Sequence, residues 1–445
     1  MNAVILVAAI TVATPITLEE VRAQSRQNAD VLLAQLDQEA AVEQSRAARS
    51  AIFPQVSLNG TAGGAFYGPQ RIFSTVPTTS PTGTVTGFTQ RSVDVEVSSS
   101  RASFDLAVSL QQLIYDGGRW WAQIAQAGAL EAAQAGQTQE RRLASELEGV
   151  RRFYELLRAQ EALEVLEANL RRSEEQLRSA RALFEAGRGQ KVDVLGAEVN
   201  LGNDRLAVVQ QRARIADAQA QLAVWLMRPG TEELIAQSPP TFDAPPTPGP
   251  DAAEAIARAR QARPLLGALE AQVRAAEHGV DVARGDNLPA VYAGVTVGRQ
   301  GPSADPFFTD PSRQNYVQGG LNVRWDLFNG FRTSSEVQRA QIARRRATVE
   351  MDQQCRELEA EVRTAAVNLA TRVEAAAIAR ANVAVASEGL ALAQARYAQG
   401  LGSTLDVRDA QLKLTQAELT LVENRIDVEI ARAALDRAMG RGVTP

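Results

Sequence analysis

Leu183-Phe184-Glu185-Ala186-Gly187-Arg188-Gly189-Gln190-Lys191-Val192-Asp193 decides the fold, because its pattern returns later in the chain. Tyr397-Ala398-Gln399-Gly400-Leu401-Gly402-Ser403-Thr404-Leu405-Asp406 keeps the same order: an aromatic, two residues, Gly, one residue, Gly, three residues, Asp. Phe184 and Tyr397, Gly187 and Gly400, Gly189 and Gly402, and Asp193 and Asp406 are each 213 residues apart. Each copy joins two long, polar, Ala-rich segments of helical period. Glycine permits the backbone to reverse there, and Asp places an anion at the start of the next helix. One such turn reads as an ordinary helix hairpin. Two in register read as an internal duplication.

The repeat extends outward from the turns. Ile114-Tyr115-Asp116-Gly117-Gly118-Arg119 matches Leu327-Phe328-Asn329-Gly330-Phe331-Arg332 at the same shift of 213. Further upstream, Phe53-Pro54-Gln55-Val56 resembles Leu288-Pro289-Ala290-Val291 at a shift of 235, so the first copy carries 22 extra residues. A loop tolerates such an insertion. Each half therefore reads as helix, strand, loop, strand, very long helix, Gly turn, helix: residues 15–228, then 251–440. A Pro-rich linker at 229–250, with a short helix expected at 231–237, joins them, and 441–445 form a tail.

Residues 18–50 have a helical pattern with Thr17 as N-cap before Glu19 and Glu20. Strands are expected at about 54–65, 103–115, 289–298 and 316–328, and the Gly-, Thr-, Ser- and Pro-rich stretch 61–101 reads as a long loop. Phe104, Leu106, Val108 and Leu110 alternate with Asp105, Ala107 and Ser109, and Val291, Val295 and Val297 with Tyr292, Gly294 and Thr296. Such two-faced strands suit a soluble sandwich or a membrane barrel. Four strands cannot close a membrane barrel, and an open edge is forbidden in lipid, so several chains would have to share one. From Arg119 to Phe184 the chain has no proline, and Leu143, Leu147, Val150, Tyr154 and Leu157 step by four and three. A helix of that length would extend roughly 100 Å. Its small Ala side chains suit close helix–helix packing in an extended coiled tube. Its partner, and the equivalent segment before Met439, run back antiparallel.

At 445 residues the chain would ordinarily divide into about three domains. Instead, 5% aromatic content with abundant Ala, Gln, Glu, Arg and Leu suits long helices. A net charge of −5 and the lack of a basic run argue against nucleic acid. Cys355 is the only cysteine and His278 the only histidine, so no internal disulfide is possible and a histidine-based site has one candidate, read as a solvated surface residue. Nothing suggests an enzyme, a cofactor or a metal. The apolar residues 1–14 are too short to span a bilayer and read as a signal peptide, although no Lys or Arg precedes Arg22.

Duplicated helix–strand–strand–helix halves, the Tyr115-Asp116-Gly117 and Phe328-Asn329-Gly330 motifs before the long helices, and the paired Gly turns resemble the TolC family of Gram-negative outer-membrane efflux proteins. The resemblance covers residues 18–440. It implies a mainly α fold with a small β part: long antiparallel coiled-coil helices forming a periplasmic tunnel, and four strands per chain in a homotrimeric, twelve-stranded transmembrane barrel. It implies a passive duct of a tripartite efflux or type I secretion system. Its partners would be a periplasmic adaptor, an inner-membrane pump of RND, ABC or MFS type, and outer-membrane lipid. Adaptor docking would fall on the tip turns at Gly187, Gly189, Gly400, Leu401 and Gly402. Asp406 and Asp409 would ring the tunnel entrance, with Asp193 and Tyr397 in the network that holds it shut. The chain departs from the pattern at Gly402, where TolC has an arginine of that network, and at Gly196, which occupies the slot equivalent to Asp409. A non-channel periplasmic coiled-coil or adaptor protein is the alternative reading.

Overall fold

The computed structural model describes residues 14–68, 70–95, 99–240, 242, 244, 247–302 and 314–442, so the expected signal peptide lies outside the described residues except for Thr14. In chain order the elements are β1 (Thr14–Ile16), α1 (Leu18–Ser25), α2 (Ala29–Arg49), β2 (Gln55–Tyr67), β3 (Gln70–Thr79), β4 (Val85–Val95), β5 (Ser99–Tyr115), α3 (Arg119–Glu185), α4 (Lys191–Trp225), β6 (Leu234–Ala236), α5 (Ala252–Ala262), α6 (Pro264–Gly285), β7 (Ala290–Gly301), β8 (Gln314–Arg324), α7 (Arg332–Ala398) and α8 (Thr404–Ala438). They fall into a helical unit (Met1–Val42, Ala129–Arg274, Arg345–Pro445) and a strand unit (Glu43–Gly128, Ala275–Arg344).

In the strand unit, β2, β5, β7 and β8 form one antiparallel sheet in that order, leaving β2 and β8 as edges. Its register puts side chains of like polarity on the same face. Leu110 pairs with Val56 and Val295, and Val108 pairs with Leu58 and Val297, which in turn pairs with Val317. All of these aliphatic side chains are exposed. Ser57, Ser109, Thr296 and Gln318 align one residue further along, on the opposite face. There the hydroxyls of Ser109 and Thr296 lie 3.1 Å apart, and the Tyr316 hydroxyl donates to Asp105 at 2.9 Å. One face is thus an apolar surface without cover, and the other is polar and cross-linked.

The stretch 61–101 is not the loop its composition suggests. β2 runs on to Tyr67, β5 begins at Ser99, and β3 and β4 pair as a hairpin between them. Thr and Val recur in it at strand spacing, but intervening Gly, Ser and Pro hide the alternation. Gly83, in the left-handed region, closes the hairpin by donating to Ser80 O at 2.9 Å. β8 stops at Arg324 rather than 328, and β7 continues to Gly301.

α3 and α7 are both 67 residues long, and α4 and α8 are both 35. Each boundary in one pair lies 213 residues from its counterpart. The larger core gathers Ile16, Val21, Val150, Phe153, Leu156 and Leu157 with Leu222, Leu234 and Ile426. Two small cores near the turns repeat position by position: Leu177, Ala180 and Leu201 in one, Leu390, Ala393 and Leu414 in the other. The expected helix at 231–237 is instead β6, lying parallel on β1 with Thr14 opposite Leu234. Leu234 and Ala236 are buried while Ile235 is exposed, a period of two that a helix does not give. The helix expected over 18–50 is divided. Thr17 caps α1 in a reciprocal box with Glu20, and the Asn28 carboxamide accepts from Val31 N at 3.1 Å to start α2 afresh.

Candidate functional site

The two Gly turns lie at the ends of α3 and α7. In the first, Gly187 has φ 73°, Arg188 N donates to Leu183 O at 2.8 Å, and Gly189 N donates to the same carbonyl at 2.9 Å. In the second, Gly400 has φ 75° and Leu401 N donates to Arg396 O at 2.9 Å. This is the left-handed helix stop that glycine adopts without a Cβ penalty. Gly189 and Gly402 serve a different need. A Cβ on Gly189 would meet Phe184 N at 3.0 Å, and one on Gly402 would meet Tyr397 N at 3.3 Å, because the chain folds back onto the last helical turn. The exposed Leu401, Leu405 and Val192 complete the surface of the tip.

Both turns border one cleft of about 840 Å³, whose walls include Arg172, Asp193, Tyr397 and Thr404. The structure therefore brings Asp193 and Tyr397 together with Gly189, Gly400 and Gly402. The Asp193 carboxylate accepts from the Thr404 hydroxyl at 2.8 Å, tying the start of α4 to the start of α8. Burial raises the Tyr397 phenol above its ordinary range, and the nearby Asp193 charge raises it further. It stays protonated at physiological pH.

Asp406 behaves differently from its counterpart Asp193. Ser403 caps α8: Asp406 N donates to Ser403 Oγ at 3.2 Å, and Ser403 N donates to Asp406 Oδ2 at 2.9 Å. The bond from Ser403 N, and then the Ser403 hydroxyl, hold the Asp406 carboxyl below the usual aspartate range. In the first copy Gln190 precedes α4 and makes no side-chain cap. Without a Ser hydroxyl there, Asp193 has no reciprocal partner and its carboxylate is left for Thr404. Asp409 is exposed and pairs with Lys413 at 2.7 Å, one turn along α8. It is not among the residues lining the cleft.

A second polar group joins the halves. Arg408 of α8 grips Asp204 of α4 with two bonds of 2.8 and 3.0 Å. Ser173 of α3 donates to the same carboxylate at 2.5 Å and accepts from Arg408 at 3.2 Å. Its members are 204 to 235 residues from Arg408, so no local spacing marks them. Comparing the copies does: the equivalents of Arg408, Asp204 and Ser173 are Leu195, Ala417 and Ala386. Further along α8, Arg172 pairs with Glu418 at 3.0 Å, and Asp427 receives Arg158 at 2.7 Å and Arg372 at 2.9 Å.

The sequence profile of the family described as outer membrane efflux protein matches residues 22–226 and 255–441. The chain is 26% identical over 349 residues to the outer membrane efflux protein BepC of Brucella suis biovar 1 (strain 1330), spanning 77% of this chain and 73% of that one. Among solved structures, the outer-membrane channel OprN superposes with a TM-score of 0.76 at 21% identity, covering 96% of this chain and 91% of OprN. The CmeC outer membrane channel of Campylobacter jejuni does so at 0.76 and 18%, covering 96% and 86%. At these identities the two structures speak for the fold.

Proposed function

Since this chain belongs to the outer membrane efflux protein family, we propose that three copies of it build a single outer-membrane duct whose periplasmic end is closed by the tip residues of α3, α4, α7 and α8. The protein is a passive channel and performs no reaction. The observation that carries the assembly is the four-stranded sheet, with an uncovered aliphatic face and two unpaired edges. In hydrocarbon each unpaired backbone group costs several kcal/mol, so β2 of one copy must meet β8 of the next until the ring closes. Three copies give twelve strands, within the range of membrane barrels. The matching lengths and constant offset of the helix pairs support an internal duplication, which would give the tunnel six similar helix pairs. Exposed Trp121, Trp325, Phe328 and Phe331 lie around the strand–helix junctions and would sit at the periplasmic headgroup level.

Around the shared axis, the Asp193–Thr404 bond would hold the two halves of each chain together, while Asp406 and Asp409 would form anionic rings selecting cations. The tip turns, with Leu401 exposed beside Gly400 and Gly402, would receive a periplasmic adaptor linked to an inner-membrane pump. The experiment is direct. Purified protein in detergent should run as a heat-modifiable trimer and, in a planar bilayer, conduct ions. A non-conducting monomer would return the chain to the coiled-coil or adaptor reading.

A further inference from the structure

Arg408, Asp204 and Ser173 do something the tip residues do not. Ser173 and Asp204 are buried, with Asp204 only 7% exposed, and the Arg408 side chain is 14% exposed. Every oxygen of the carboxylate is satisfied, and the guanidinium is held in a bidentate grip. Removing two charges from water rarely stabilises a fold more than apolar packing of similar volume. The other half of the chain builds no such pair: the equivalent positions hold Leu195, which is half exposed, with Ala417 and Ala386. The ion pair is therefore better explained by specificity than by stability: it accepts one arrangement of α8 on α3 and α4 and penalises intermediate ones.

We propose that Arg408, Asp204 and Ser173 form a second latch, set back from the tip, that must break within each chain before the duct opens. The inference rests on the duct reading above. Arg408 lies one helical turn from Thr404, so any displacement of the start of α8 loads both this latch and the Asp193–Thr404 bond. A crevice of about 280 Å³ beside the latch is bordered by Ser173, Asp193, Thr404, Leu405 and Arg408. Water entering there would hydrate both charges once they part. The closed state is then held by paired charges and the open state by hydrated ones, with a costly intermediate between them. Such an element switches rather than stretches. Arg408 and Asp204 are positioning residues: they need touch no exported molecule.

The test is a charge-swap cycle on the full-length trimer in planar bilayers. Asp204→Arg and Arg408→Asp should each raise open-state occupancy roughly tenfold or more, and the double variant should return it close to wild type. Singles that conduct like wild type in intact trimers would overturn the latch, as would a double variant as leaky as the singles. Should either single fail to assemble, Asp204→Asn and Ser173→Ala keep the packing nearly unchanged; raised conductance from them supports the latch, and wild-type conductance rejects it. Wild-type trimers that never conduct would instead sink the duct reading itself.

Discussion

Ser403 caps α8 with its hydroxyl, whereas Gln190, at the equivalent place before α4, caps nothing. That single difference divides the labour of the two aspartates three residues on. Asp406 is spent on its own helix, so its contribution should follow pH in a defined way. Its carboxyl is held low in the folded state, so the stabilisation is complete above the ordinary aspartate range and is lost as pH falls through the lower, folded value. Hydrogen exchange at the first turn of α8 should accelerate in that acidic window, and Asp406→Asn should remove the dependence. Replacing Ser403 with Ala should destabilise the same turn by about 1 kcal/mol. Asp409 differs again, because Lys413 partly neutralises it. Lys413→Ala should therefore strengthen block by divalent cations, and Asp409→Ala should weaken it, both read as current through the open duct. Equal block in the two variants would remove Asp409 from the entrance.

At the scale of elements, the helix pairs stop at matched positions but not with matched residues. Gly440 ends α8 with φ 75°, and a Cβ there would strike the Ala262 carbonyl carbon at 2.7 Å. Its counterpart after α4 is Met227, forced to φ 58° with its side chain exposed. A non-glycine residue in the left-handed region carries a penalty, so Met227→Gly should stabilise the protein by about 1 kcal/mol, seen as a higher unfolding midpoint of the solubilised protein. No gain would mean that Met227 makes a contact in the assembly. The same contrast separates Gly118 from Phe331, both left-handed, where the bulky residue is retained at the strand–helix junction. The long helices, their turns and the Thr17 cap were legible in sequence because each rests on local spacing. The β3–β4 hairpin was not, since Gly, Ser and Pro diluted its alternation, nor was β6, whose three residues make a period of two only beside β1. Of the tip, the glycines and Asp193 were legible from the repeat. The pairing of Asp204 with Arg408 was not, because a contact across 204 residues leaves no trace in either segment alone.

For the whole molecule, the two faces of the sheet make opposite predictions. Lysine in place of Leu321, on the aliphatic face, should cost roughly 2–4 kcal/mol if that position meets lipid at mid-depth, and block membrane insertion. Lysine in place of Gln318, on the polar face, should insert normally and alter ion selectivity. Fractionation of membranes distinguishes the two, and equal tolerance would mean the aliphatic face is not lipid-facing.

The unpaired edges β2 and β8 also govern how such a protein is made. If three copies share one barrel, as proposed, a lone chain would have no acceptable place in the bilayer, and insertion and assembly would be one concerted event, with a rate that rises steeply with subunit concentration. A chain damaged at one edge would then be worse than a missing one. Mixed with intact chains it would enter most rings and leave each unable to close, so an edge-defective copy should be dominant over the normal gene.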